Sequence, residues 1–117
     1  MNRKGRRPIN KAFLIGNLTR DPELKQTQNG ISVCTFTIAV NKKEGADFLD
    51  IVAWRDLGVN CSKYLHKGSK CAVSGAVRSR SYEKNGERRK VTEIEANEVE
   101  FLTRDTTPTE DAFALEF

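Results

Sequence analysis

The sequence predicts an all-β fold: a five-stranded Greek-key barrel with one helix between strands 3 and 4. Three observations predict it. Apolar and polar residues alternate with a period of two in several segments. Two Asn-Gly pairs, Asn29-Gly30 and Asn85-Gly86, provide tight turns. One stretch alone, following Trp54, changes to helical spacing.

The 117 residues suit one domain with a real core. Residues 1–8 form a basic arm carrying Arg3, Lys4, Arg6 and Arg7 and closed by Pro8. The first strand runs from Ile9 to Leu18, where Gly16 marks a bulge or a close backbone approach. Asp21-Pro22 begins a connection that ends at the Asn29-Gly30 turn. The second strand covers about 31–41: Cys34, Phe36, Ile38 and Val40 share one parity and point to the core, with Thr35, Thr37 and Ala39 opposite. A short polar link, Asn41 to Asp47, leads to the third strand at 47–54. Asp56 is placed to cap a helix whose apolar stripe is Leu57, Cys61, Tyr64 and Leu65, with Gly68 suiting its stop. The fourth strand covers about 70–81, Asn85-Gly86 is a hairpin tip, and the fifth strand covers about 90–102. From Thr103 the periodicity ends. Five strands with a helix after the third is the layout of the OB-fold. The division is therefore an arm at 1–8, an OB-fold domain at 9–102 and a short acidic tail at 103–117.

Composition narrows the chemistry. No apolar run reaches the length of a membrane span, and no apolar segment follows the basic N-terminus as it would in a secretory signal. Three cysteines, Cys34, Cys61 and Cys71, are an odd number without a CxxC pair, which argues against a disulfide framework or zinc site and for a reducing, cytoplasmic setting. With His66 the sole histidine, a catalytic triad or multi-histidine metal site is hard to build, and no Asp/Glu/His cluster has the spacing of a nuclease. Residues 1–92 hold 19 Lys and Arg against 8 Asp and Glu; residues 93–117 hold 1 against 8. A body of +11 thus precedes an end of −7, giving +4 in all. That asymmetry fits a polyanion-binding domain with a tail of opposite sign, or simply a solvated surface.

Two strands carry the candidate site. In the third, Leu49, Ile51 and Ala53 make a core set, so Phe48, Val52 and Trp54 point away from the barrel interior. Outward aromatics need a cover. Unpaired bases provide one, since stacking is worth roughly 1–3 kcal/mol per base and tolerates any sequence. The competing reading packs Phe48 or Trp54 against the helix or a neighbouring subunit. In the fourth strand Arg78, Arg80 and Tyr82 share one parity, as a groove that tracks a sugar-phosphate backbone requires. Lys84, Arg88, Arg89 and Lys90 extend the charge around the hairpin tip, where a solvated run is the plainer alternative.

These segments resemble the bacterial-type single-stranded DNA-binding protein (SSB) family. The matching stretches are Ile9-Asn10-Lys11, Leu14 to Leu18 with Asp21-Pro22-Glu23, Phe36 to Asn41, Ala46-Asp47-Phe48 through Val52-Ala53-Trp54-Arg55, Tyr64 to Ser69, and Gly75 to Tyr82. The resemblance spans about residues 9–102. It implies an OB-fold, a homotetramer, sequence-tolerant coating of single-stranded DNA in replication, recombination and repair, no catalytic activity and no cofactor. It implies stacking by Phe48, Trp54 and Tyr82, and backbone contacts from Arg7, Lys11, Lys67, Arg78 and Arg80; Lys84 and Arg88, from the charge at the hairpin tip, are further DNA-binding candidates. The setting it implies is a bacterial cytoplasm with nucleoid association, with phage or plasmid origin also open.

The chain departs from the family pattern in three places. The link between the second and third strands, Asn41-Lys42-Lys43-Glu44-Gly45, is short and lacks the aromatic that many members carry. Asp50 and Asp56 are acidic where some relatives have cations. The linker before the end is a few residues long, and the end itself, Glu110-Asp111-Ala112-Phe113-Ala114-Leu115-Glu116-Phe117, keeps acidic residues and a terminal phenylalanine without the usual proline. Glu110, Asp111, Glu116 and Phe117 are the expected docking residues for replication or repair proteins, since a terminal phenylalanine can enter an apolar pocket flanked by basic residues. Alternatively this octet is expected to be disordered or to fold back on the chain's own basic groove. A primosome-type OB-fold accessory protein acting mainly through protein–protein contacts is the alternative function.

Overall fold

The computed structural model describes residues 8–102. Arg7 and the tail residues Glu110, Asp111, Glu116 and Phe117 lie outside the described residues. Seven elements follow in order: β1 (Ala12–Leu18), β2 (Glu23–Gln26), β3 (Ser32–Asn41), β4 (Ala46–Trp54), α1 (Arg55–Tyr64), β5 (Lys70–Lys84) and β6 (Glu87–Phe101). The sheet order is β1-β5-β6-β4-β3-β2, and β1 also pairs with β3, which closes the barrel. Among the described residues the one parallel contact, β4 beside β6, joins Ile51 to Ile94 and Val52 to Glu95.

The expected five strands become six because the first is interrupted. Leu18 opposes Ile38 on β3, and Glu23 opposes Thr35 farther along the same strand. β1 and β2 are therefore two halves of one OB-fold strand, broken at the Asp21-Pro22 corner where proline cannot donate to a ladder. Sequence periodicity does not reveal β2 because all four of its residues are exposed. Residues 9–11, expected to open the first strand, precede the ladder. Gly16 fulfils the expectation of close approach: a Cβ there would lie 2.6 Å from the Ala39 carbonyl oxygen.

The core follows the alternation. Cys34, Phe36, Ile38, Ile51, Ala53, Cys71, Val73, Ile94 and Ala96 form one buried cluster, with Val40 and Leu49 packed against it. Cys61 and Leu65 bring the helix into the same cluster, and α1 sits against β3 and β4. Gly58 permits that approach, because a Cβ there would collide with the Ala53 carbonyl oxygen.

Two expectations for the helix are corrected. Asp56 is not its cap: α1 begins at Arg55, Trp54 takes the N-cap position without a side-chain bond, and Asp56 lies in the first turn. Arg55 adopts a left-handed φ of 59°, so β4 turns into the helix with no connection to hold a separate cap. Tyr64 leaves the apolar stripe, is exposed, and instead meets the Phe101 ring at 5.8 Å and 45°. The helix stops at Tyr64, with the Leu65 N–H bonded to the Cys61 carbonyl; Gly68, at φ 90°, serves the following turn.

The β5–β6 hairpin is longer than expected. Lys84 pairs with Glu87 across Asn85-Gly86, whose φ values of 54° and 81° are the left-handed pair of a type I′ turn. Among the described residues no helix is long and apolar enough to cross a membrane.

Candidate nucleic-acid interface

The outer face of β4 carries the expected Phe48, Val52 and Trp54, with Asp50 among them. Phe48 is 66% exposed and Trp54 39%. Val52, expected to point outward, is only 7% exposed. It lies mid-sheet, opposite Thr35 on one side and beside Glu95 on the other, so its small branched side chain has neighbours on both flanks. Phe48 and Trp54 are six residues apart along one strand, about 20 Å. Phe48 stands near the β3–β4 link, where Lys42 Nζ is 3.0 Å from Asp47 Oδ1. Trp54 stands where the left-handed Arg55 bends the chain into α1.

Beside the β4 residues Asp50 and Val52, which lie in sequence between the two rings, is an open groove of about 560 Å³. The corner before β2 contributes Arg20 and Asp21, β2 contributes Glu23, the strands β3 and β4 contribute Thr35, Thr37, Asp50 and Val52, and the hairpin contributes Arg80, Val91 and Glu93. Thr37 Oγ1 donates to Asp50 Oδ1 at 2.8 Å. The groove thus mixes cations with carboxylates.

On the hairpin, Arg78, Arg80 and Tyr82 share the outer face with the groove. Tyr82 is 43% exposed, and the Arg80 guanidinium carbon lies 5.8 Å from its ring centroid, within cation–π range. The structure adds partners that the strand reading omitted. Arg78 Nε donates to Glu95 Oε1 at 2.9 Å. Arg80 donates from Nε and Nη2 to the two carboxylate oxygens of Glu93, both at 3.1 Å. That bond raises the Arg80 pKa above its already high ordinary value, so its charge is fixed. Glu93 and Glu95 could have been found in the sequence: a two-residue turn at Asn85-Gly86 sets the register, and Arg78 then opposes Glu93.

The other candidates are spread around this face. Lys84 closes the hairpin tip opposite Glu87. Arg88 opposes Glu83 on the alternate parity, yet lines a small hollow with Ser81, Tyr82 and Glu83. Lys11 is exposed beside Asn10, whose side chain bonds the Val77 backbone at the base of the hairpin. The Lys67 N–H donates to Asp21 Oδ1 at 2.8 Å, which brings its loop to the groove's far rim. Arg20, Thr35, Thr37 and Asp50 line the groove without having been singled out as contacts; only the fold brings them together.

The thiols take no part. Cys34, Cys61 and Cys71 are free and buried. Desolvation pushes their pKa values up to about 11, 12 and 11, so they are neutral and poorly nucleophilic. Among the described residues no group of three His, Cys, Asp or Glu is arranged to hold a metal ion.

Residues 9–102, nearly the whole described chain, match the model of the Single-strand binding protein family. The chain belongs to that family. It is 45% identical over 102 residues to a single-stranded DNA-binding protein of Halalkalibacterium halodurans, covering 80% of this chain and 61% of the relative. It is 43% identical over 102 residues to single-stranded DNA-binding protein 1 of Staphylococcus aureus, covering 80% and 65%. A single-stranded DNA-binding protein of Bacillus cereus is also 43% identical, with 80% and 60% covered. The chain spans about three fifths of the length of these curated relatives. The stretch matched to the Single-strand binding protein family holds every described strand and the helix, and with them the rings and the arginine-glutamate pairs.

Proposed function

We propose that this chain binds single-stranded DNA with little sequence preference, by stacking bases on Phe48, Trp54 and Tyr82 and by meeting phosphates with Arg78, Arg80, Lys11, Lys67, Lys84, Arg88 and Arg7. The carrying observation is that three large rings stay exposed on β4 and β5, the strands whose Asp50, Val52 and Arg80 line the groove. Several exposed rings on neighbouring strands mark an interaction surface, and bases cover such rings without sequence readout. The names of the relatives support the same ligand. Binding requires neither catalysis nor a cofactor. The decisive experiment is titration of Trp54 fluorescence with oligo(dT) and with duplex DNA of equal length. Quenching by the single strand at much lower concentration supports the reading; equal binding of duplex refutes it.

The working assembly under this reading is a homotetramer. Its support is the outer side of β1, where Phe13 is 72% exposed and Ile15 is also exposed. The expected measurement is a tetrameric mass in solution, lowered by Phe13→Glu. A dimer with weak DNA binding would instead favour an accessory protein of the primosome type. The division into arm, domain and tail belongs to the same proposal. So do recruitment of replication or repair proteins through Glu110, Asp111, Glu116 and Phe117, and a place at the bacterial nucleoid.

A further inference from the structure

Arg78 and Arg80 are already engaged before any ligand arrives. The Glu93 side chain is only 15% exposed, and both its oxygens accept from Arg80. That paired contact is the fork geometry with which a guanidinium also grips a phosphate. Glu95 accepts a single bond from Arg78, through one oxygen. Both pairs run diagonally across β5 and β6, since Arg78 directly opposes Glu93 and Arg80 directly opposes Val91. The arginine side chains remain more than half exposed on the groove side.

We propose that Glu93 and Glu95 stand in for phosphates in the free protein, so that strand capture exchanges carboxylate for phosphate at Arg80 and Arg78. This rests on the reading of the face as a single-strand surface. The pairs hold two long side chains near one arrangement, which reduces the side-chain entropy lost when a phosphodiester arrives. They also compete with it. Each exchange leaves a carboxylate beside a polyanion, so it releases less free energy and fewer counterions than capture by an unpaired arginine. Asp50 and Glu23 in the same groove act in the same direction. The favoured ligand is a continuous phosphodiester chain also held by stacked bases, and the acidic partners ease its release.

The test measures oligo(dT) affinity of the full chain across a salt series for wild type, Glu93→Gln, Glu95→Gln and the double variant. Glu98→Gln, on β6 opposite Ser74 and away from the groove, is the charge-matched control. Each glutamine at 93 or 95 should tighten binding about threefold, the scale of one ion pair made by an arginine that stays more than half exposed. Each should also steepen the slope of log K against log salt by up to about 0.7, the increment for one phosphate on a single strand. Glu98→Gln should do neither. Thermal melts check each fold; if Glu93→Gln unfolds, the more exposed Glu95 decides. Folded glutamine variants that bind equally or more weakly overturn the exchange while wild-type binding preserves the single-strand reading. An equal gain from Glu98→Gln also overturns it, as an effect of net charge. Failure of the wild type to bind oligo(dT) overturns both.

Discussion

Asn10 and Val77 exchange two hydrogen bonds across 67 residues of chain. Asn10 Nδ2 donates to the Val77 carbonyl at 2.8 Å, and the Val77 N–H donates to Asn10 Oδ1 at 2.9 Å. The amide thereby imitates a neighbouring strand and ties the start of the domain to the base of the β5–β6 hairpin, one residue before Arg78.

Asn10→Ala removes both bonds and leaves the Val77 groups to water, since the site is exposed. The expected loss is about 1 kcal/mol per bond or less, read as a lower urea midpoint with unchanged slope. Weaker oligo(dT) binding should accompany it, because Lys11 loses its anchor.

Trp54→Ala and Phe48→Ala should each weaken single-strand binding by about 1–3 kcal/mol. Both rings are exposed, so melting temperatures should stay close to wild type. A large fall in melting temperature with intact binding would assign a ring to structure.

Gly58→Ala should destabilise the domain. Its Cβ meets the Ala53 carbonyl oxygen and approaches the Cys34 backbone nitrogen at 3.2 Å. Neither backbone can yield without moving α1 from the barrel, so a cost of about 1–3 kcal/mol is expected, measured by denaturant unfolding.

Stability should fall in alkaline solution. Burial raises the folded pKa values of Cys34, Cys61 and Cys71 from 9.0 to about 11, 12 and 11. Below pH 9 the thiols are protonated in both states and contribute no dependence. Above it the unfolded chain loses protons first, so stability declines through the window up to about pH 11 to 12. Urea midpoints should drop between pH 8 and pH 10, and less steeply in a Cys34→Ala variant.

Much of the barrel was legible in order of residues. The inward positions of Cys34, Phe36, Ile38, Ile51 and Ala53, the two Asn-Gly turns and the helix after Trp54 all follow from local periodicity. β2 was not legible, because four exposed residues beside a proline corner carry no alternation. The cap at Asp56 failed for a related reason: the chain passes from strand to helix through a left-handed Arg55, a backbone event that composition does not signal.

Parity alone determined that Phe48, Trp54, Arg80 and Tyr82 leave the interior, because successive strand side chains must point to opposite faces. It could not determine what each one meets there. Closure of the sheet set Val52 between strands and covered it, gathered Arg20 and Asp50 into one groove, and gave Arg80 its partner in Glu93. Direction is a property of each residue's own backbone, whereas coverage and charge pairing depend on strands brought alongside from distant parts of the chain.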